Sequence, residues 1–313
     1  MFASSSTLKR GAALGLAVTA SLALAACGSS SPSKPSNPLG ASSAKGTVVI
    51  GSANFPENEL LAQIYSTALA AKGVKVTDKF NIGSREVYYP EIKKGAVSII
   101  PEYNGTLLTV SVSPSSTAST TTEVNAALTA GLPPTMEILN SASAQDSDSV
   151  TVTQAFAKAH NLTSIADLKP IAGTMVFGGP PEFPTRSDGL KGLQKTYGVV
   201  FKSFDPLDES GPITLAALTS GKVQAADVFT TTPQIISDHL VSLTDPKFNF
   251  AAQNVTPLVY KPAMTSTIID TLNAISAKLT TADLLQIDTA VIVNHESYQA
   301  VATAWLKANG LPN

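Results

Sequence analysis

The residues best placed to do chemistry in this chain are aromatic. Tyr103 and Phe229 each stand eight positions after a glycine, Gly95 and Gly221, in segments that match in other ways. A valine follows each glycine by two positions (Val97, Val223), and a threonine follows each aromatic by three (Thr106, Thr232). Further upstream, the run Val48–Phe55 parallels the run that ends in Phe183: an apolar strand, glycine, a short loop, then phenylalanine. Helix–glycine–strand units recur in any α/β protein, so the glycines alone carry little. The equal spacing with an aromatic at both ends points to two similar lobes. In open α/β sheets, ligands bind beyond the carboxyl ends of the strands. Two such lobes face to face would gather Phe55, Tyr103, Phe183 and Phe229 around one cleft.

Polar residues near these aromatics add possibilities. Asn54 and Phe55 follow a strand end and precede a helix start, where backbone N–H groups are free to meet a ligand; ordinary loop packing is the alternative. Thr230 adjoins Phe229. Arg186, near Phe183, is placed either to clamp a ligand carboxylate bidentately or to form a surface ion pair. Glu86 begins a helix beside Arg85. It either lines the cleft or simply complements the helix dipole. Asp146 and Asp148 lack the spacing of a calcium loop and are expected at a crossover between lobes.

Catalytic signatures are missing. None of His160, His239 and His295 lies in H-E-x-x-H, and there is no G-x-S-x-G. A P-loop is absent as well, so the chain is not a nucleotide-driven motor subunit. Ser31–Lys34 matches S-x-x-K, but in a Ser- and Pro-rich stretch where the match is accidental. Neither a metal nor a cofactor is expected, and the chain is not expected to be an enzyme. A secreted hydrolase is the enzyme-class alternative.

The elements that must position these residues alternate strand and helix. Expected strands are 47–51, 74–77, 97–100, 174–177, 199–201 and 223–228. Expected helices are 56–71, 85–94, 189–197 and 212–220, followed by a helical tail over 265–311. Pro56 suits a first helical position, Glu57 and Glu59 lie in that helix's first turn, and Gly73 ends it. Such alternation predicts parallel-type α/β layers.

The N-terminus reads as a processing signal. Lys9 and Arg10 precede the apolar or small run 11–26, which ends in Leu24-Ala25-Ala26-Cys27. At 16 residues it is shorter than the ~20 needed to span a bilayer. Cys27 is the only cysteine, so it has no intramolecular disulfide partner. Cleavage after Ala26 and acylation of Cys27 account for both its position and its solitude. Residues 28–46 are a tether rich in Ser, Pro and Gly. Without Lys9 and Arg10 the chain holds 19 Lys+Arg against 23 Asp+Glu, a net charge near −4. With no basic run, a nucleic-acid partner is not expected.

The segments GTVVIGSANFPENELLAQIYSTALAAKGVKV and NIGSREVYYPEIKKGAVSIIPEYNGTLL resemble the osmoprotectant-binding subunits of ABC importers. SVTVT (149–153), NLTSIADL (161–168), KTYG (195–198) and SGKVQAADVFTTT (220–232) continue the resemblance in order. It implies an α/β two-lobe periplasmic-binding-protein fold, type II-like, with the ligand cleft between lobes. Lobe 1 would comprise 47–145 plus 252–313, and lobe 2 would comprise 146–251. It also implies capture of a small osmolyte such as glycine betaine, choline, carnitine or proline betaine in an aromatic cage. The chain would be a monomer on the outer face of the cell membrane, held there by its lipid anchor. It would deliver ligand to an ABC permease and its ATPase subunit. Tyr103 matches a cage tyrosine, and Phe229 stands where relatives often carry Tyr. Glu86 and Asp148 occupy positions that are aromatic in some relatives. A ligand other than a quaternary amine is the alternative within the same role.

Overall fold

The computed structural model describes residues 46–313. The expected signal peptide, Cys27 and nearly all of the tether lie outside these residues. The described chain contains ten strands: β1 (Val48–Gly51), β2 (Val76–Lys79), β3 (Ile99–Tyr103), β4 (Met136–Ile138), β5 (Val150–Thr153), β6 (Val176–Gly179), β7 (Ser203–Pro206), β8 (Ala225–Asp227), β9 (Leu240–Ser242) and β10 (Val255–Tyr260). They form two five-stranded sheets, ordered β2-β1-β3-β10-β4 and β7-β6-β8-β5-β9.

The two sheets follow one plan. In each, three strands are parallel (β2-β1-β3 and β7-β6-β8), and the next strand runs antiparallel to them (β10 and β5). The strand order therefore reverses around β1 in the first sheet and β6 in the second, and ligand crevices open at such points. The chain leaves the first sheet after β4 and returns to it only at β10. The two crossover segments touch through an antiparallel bridge between Gln145 and Asn254.

Burial explains why these segments fold as they do. β1 and β3 are buried along their whole length; β1 is a continuous apolar run, as buried parallel strands usually are, while β3 carries the buried Glu102 among its apolar residues. The helix Pro56–Ala71 packs Leu60, Leu61, Ile64, Tyr65 and Leu69 against the sheet, all fully buried. It ends at Gly73, which takes φ +77°, a left-handed conformation that glycine adopts without a Cβ penalty. Gly95 and Gly221, the repeat glycines, take φ +76° and +77°, so each closes its helix in the same way. Phe177, Val150, Val152 and Leu193 centre the core of the second sheet.

Several sequence expectations shift. The strand expected at 199–201 forms at Ser203–Pro206, after Val199 has been drawn into the core. The helical tail is three helices, Ser266–Ser276, Thr281–Asp288 and Tyr298–Ala308, with a π-helical turn at Thr289–Val293. Trp305 is a core residue whose indole N–H donates to Asp283 Oδ1 at 3.1 Å.

Candidate ligand-binding cleft

Tyr103 closes β3. Phe55 lies between β1 and the first long helix, and Phe229 follows β8. The three rings meet. Phe55 lies 5.9 Å from Tyr103 and 5.0 Å from Phe229, centroid to centroid, with the Phe229 ring edge-on. Phe229, delivered by the second sheet, packs against the core of the first. The equal spacing in the sequence therefore brings Tyr103 and Phe229 to a common site, with Phe55 between them.

Carboxylates surround this cluster. Glu57, in the first turn of helix Pro56–Ala71, accepts from the Tyr103 hydroxyl at 2.5 Å and from Thr231 Oγ1 at 2.7 Å. One buried carboxylate thus spans both sheets at a helix N-terminus, where negative charge is favoured. Burial, and then the charge of Glu57, push the Tyr103 hydroxyl pKa far up, so Tyr103 stays neutral and donates. Beneath it, Glu102 accepts a bidentate pair from Arg85 (3.1 and 2.9 Å), a bond from the Tyr88 hydroxyl (2.8 Å) and one from the Tyr103 N–H (3.0 Å). Glu102 is fully buried, and these four donors satisfy it.

Arg186 spans the cleft. Its Nε and Nη2 each donate to Glu86 at 3.1 Å, and Nη2 also reaches Glu182 at 3.4 Å. Burial would raise the Glu86 carboxyl, but the hydrogen bonds and charge of Arg186 outweigh it and hold the pKa down at about 2. Thr109 Oγ1 donates to Asp188 at 2.6 Å, and Ser187 Oγ donates to the Thr109 carbonyl at 2.6 Å. Thr106 Oγ1 donates to Gln253 Oε1 at 2.6 Å, with Asp148 Oδ2 at 3.2 Å.

These bonds hold the lobes together around a cavity of about 30 Å³, lined by Phe55, Tyr88, Tyr103, Asp148, Arg186 and Phe229 among others. That is room for about two waters. A larger solute can enter only if the lobes separate or the lining repacks. The electrostatic balance is acidic. Burial, then the Glu57 charge, raise Asp146; burial, then the Asp148 charge, raise Asp227 and lift Asp188 to about 6. Burial lifts Glu209 to about 7. Asp227 is fully buried, and neither of its carboxylate oxygens has a hydrogen-bond partner. Arg85 and Arg186, the two arginines at the cleft, both carry internal partners.

The structure places the expected site residues unevenly. Tyr103, Phe55 and Phe229 converge. Arg186 and Glu86 meet each other, and Arg186 lines the cavity. Phe183 does not join the cluster: it stacks on Phe177 at 5.3 Å, only 1% exposed, inside the second core. Its strand–glycine–loop frame resembles that of Phe55, but the loop turns the ring inward. Asn54 is exposed. Thr230 is exposed too, and its hydroxyl braces the crossover by donating to Asp146 Oδ1 at 3.2 Å. Sequence reasoning missed Glu57, Glu102, Glu209 and Thr231. Glu57 reads as an ordinary helix-start acid, and Glu209 carries no signal at all.

Two facing α/β sheets, with aromatics from both meeting between them, form the architecture of a two-lobe binding protein, and comparison with solved structures shows that fold. A glycine betaine/carnitine/choline ABC transporter structure superposes with a TM-score of 0.67 at 21% identity, covering 84% of this chain and 98% of that one. A choline binding protein in complex with choline gives 0.62 at 16% identity, covering 85% and 89%. The chain belongs to the OpuAC family, the substrate binding domain of ABC-type glycine betaine transport systems, whose model matches residues 46–308. Among curated relatives, the glycine betaine-binding protein YehZ of Escherichia coli (strain K12) is 26% identical over 276 residues, which is 84% of this chain and 90% of that protein. No helix among the described residues is long and apolar enough to cross a membrane.

Proposed function

We propose that this chain is the lipid-anchored, extracytoplasmic subunit that captures a quaternary ammonium solute, on the pattern of glycine betaine or choline, for an ABC permease. The observation that carries this reading is the Phe55–Tyr103–Phe229 cluster, built from both lobes. A quaternary ammonium has no N–H to donate, so ring faces are its natural partners. Each desolvated cation–π contact contributes roughly 0.5–2 kcal/mol. When the lobes part, the rings separate; a cation seated between them draws them back together.

The acidic lining supports a ligand whose positive end carries the recognition. A ligand carboxylate would have to displace Glu86 or Glu182 from Arg186, since neither cleft arginine is free. Asn54, Phe183 and Thr230 contribute to loop, core and crossover, while Glu86 and Arg186 act as a clasp over the bound solute. Acylated Cys27 holds the protein at the membrane surface, and the Ser- and Pro-rich tether lets a monomer swing between solute and permease. No catalytic step is needed for this role.

The test is a Tyr103→Ala, Phe229→Ala double variant, which is expected to lose at least tenfold in affinity for the quaternary amine that the parent binds. Unchanged affinity would remove the aromatic assignment.

A further inference from the structure

A second cavity, of about 580 Å³, shares Phe55, Glu209 and Phe229 as walls with the small inner one. It lies in the size range of small-molecule sites. Much of its lining is apolar, including Leu215 and Ala216 from one lobe and Val291, Ile292 and Tyr298 from the other. Its acidic residues are Glu57, Glu209, Asp238 and Asp288; His295 also lines it, and none of its lining residues is Lys or Arg. Glu57 is already engaged by Tyr103 and Thr231. Asp288 is 2% exposed and its Oδ1 has no hydrogen-bond partner; burial, and then the charge of the neighbouring Glu57, hold its carboxyl well above the ordinary range, so it keeps its proton until a cation arrives. Glu209 Oε2 is in the same position. Buried carboxylate oxygens without partners are costly, and such groups call for an explanation.

We infer that this outer cavity is a second binding site, separate from the aromatic cleft, for a bulky organic monocation. Its apolar substituents would lie on Leu215, Val291 and Tyr298, and its charge would sit beside Asp288 and Glu209. A cation supplies what the two carboxylates lack, and the walls suit alkyl or aryl groups larger than a methyl. Phe55 and Asp288 come from one lobe, Glu209 and Leu215 from the other, so an occupant would also favour the closed arrangement. The site does not depend on the ligand proposed for the inner cleft.

Tetrapropylammonium is the probe, titrated calorimetrically into the full-length chain in detergent. The expected result is one saturable site, weakened at least tenfold by Asp288→Asn and likewise by Leu215→Trp, whose indole narrows the apolar wall. Asp148→Asn, which alters the lining of the inner cleft and none of the outer cavity's walls, should leave the probe's affinity within about threefold. Thermal melts of each variant confirm folding. The inference is overturned if the probe does not bind the parent. It also fails if binding survives both Asp288→Asn and Leu215→Trp, or if Asp148→Asn removes it, which would place the probe in the inner cleft. Binding of the probe with no binding of any betaine or choline would defeat the proposed function and leave the outer site standing.

Discussion

Replacing Glu86 with alanine isolates the closure of the lobes from the stability of the fold. Glu86 lies on one lobe and Arg186 on the other, joined by two hydrogen bonds of 3.1 Å each. Hydrogen bonds to charged groups contribute about 1.5–3 kcal/mol when buried, and exposed ion pairs contribute about 0–1 kcal/mol. This pair falls between those limits, because the Arg186 side chain is 6% exposed and that of Glu86 is 41%. About 1 kcal/mol is therefore expected. Arg186 keeps Glu182 at 3.4 Å in the variant, so no buried charge is stranded. Losing ~1 kcal/mol shifts the closed-to-open ratio about fivefold, and ligand affinity can fall by no more than that factor. Small-angle scattering on the ligand-free protein should show a larger radius of gyration for Glu86→Ala. Calorimetry should show a dissociation constant raised about two- to fivefold, with the melting temperature nearly unchanged. A variant with the parent's scattering profile and affinity would refute the clasp. A large fall in melting temperature would mean that the pair supports the fold rather than closure.

Other expectations follow from the same geometry. Asp188 and Glu209 hold their protons up to about 6 and 7 in the fold, whereas unfolded carboxyls lose theirs near 4. The folded state therefore binds more protons between about pH 4 and 7, and stability should fall as pH rises through that window, each group costing on the order of 3 kcal/mol once ionised. Denaturant titrations at pH 4.5 and 7.5 check the sign, and greater stability at 7.5 would contradict it. Gly189→Ala would set a Cβ 1.8 Å from the Phe183 carbonyl oxygen. It should destabilise the second lobe by at least ~2 kcal/mol, read as a lowered melting temperature; a neutral result would show that this turn yields easily. Cys27→Ser should move the protein from the membrane to the soluble fraction on cell fractionation, and retention at the membrane would remove the lipid anchor from the account.

Much of this architecture was legible in the sequence, for reasons that also explain the misses. Gly95 and Gly221 stood out because a left-handed helix end is where glycine has no rival. The aromatics eight residues on, Tyr103 and Phe229, followed from the length of the strand between. Phe183 misled because the pattern of strand, glycine and aromatic does not state which way a loop turns, and the ring of Phe177 was there to receive it. β10 went unread because Val255–Tyr260 joins a sheet whose other strands all lie more than a hundred residues earlier. The helix Thr121–Gly131 was overlooked despite a local signal, the Thr120–Glu123 capping box that starts it. The carboxylates at the cleft were the hardest to foresee. Glu57 and Glu86 each satisfy a helix-start rule, and only the folded structure shows that both also reach across to the other lobe.

The central claim is that both lobes grip a quaternary ammonium through the rings of Phe55, Tyr103 and Phe229. Its most direct test is calorimetry of the domain from Lys45 onward with glycine betaine, proline betaine, choline and carnitine, on the parent and on the Tyr103→Ala, Phe229→Ala double variant. The account predicts micromolar or tighter binding of at least one of these by the parent, and loss of that binding in the double variant. A folded parent that binds none of the four, or a double variant that binds as the parent does, would contradict it.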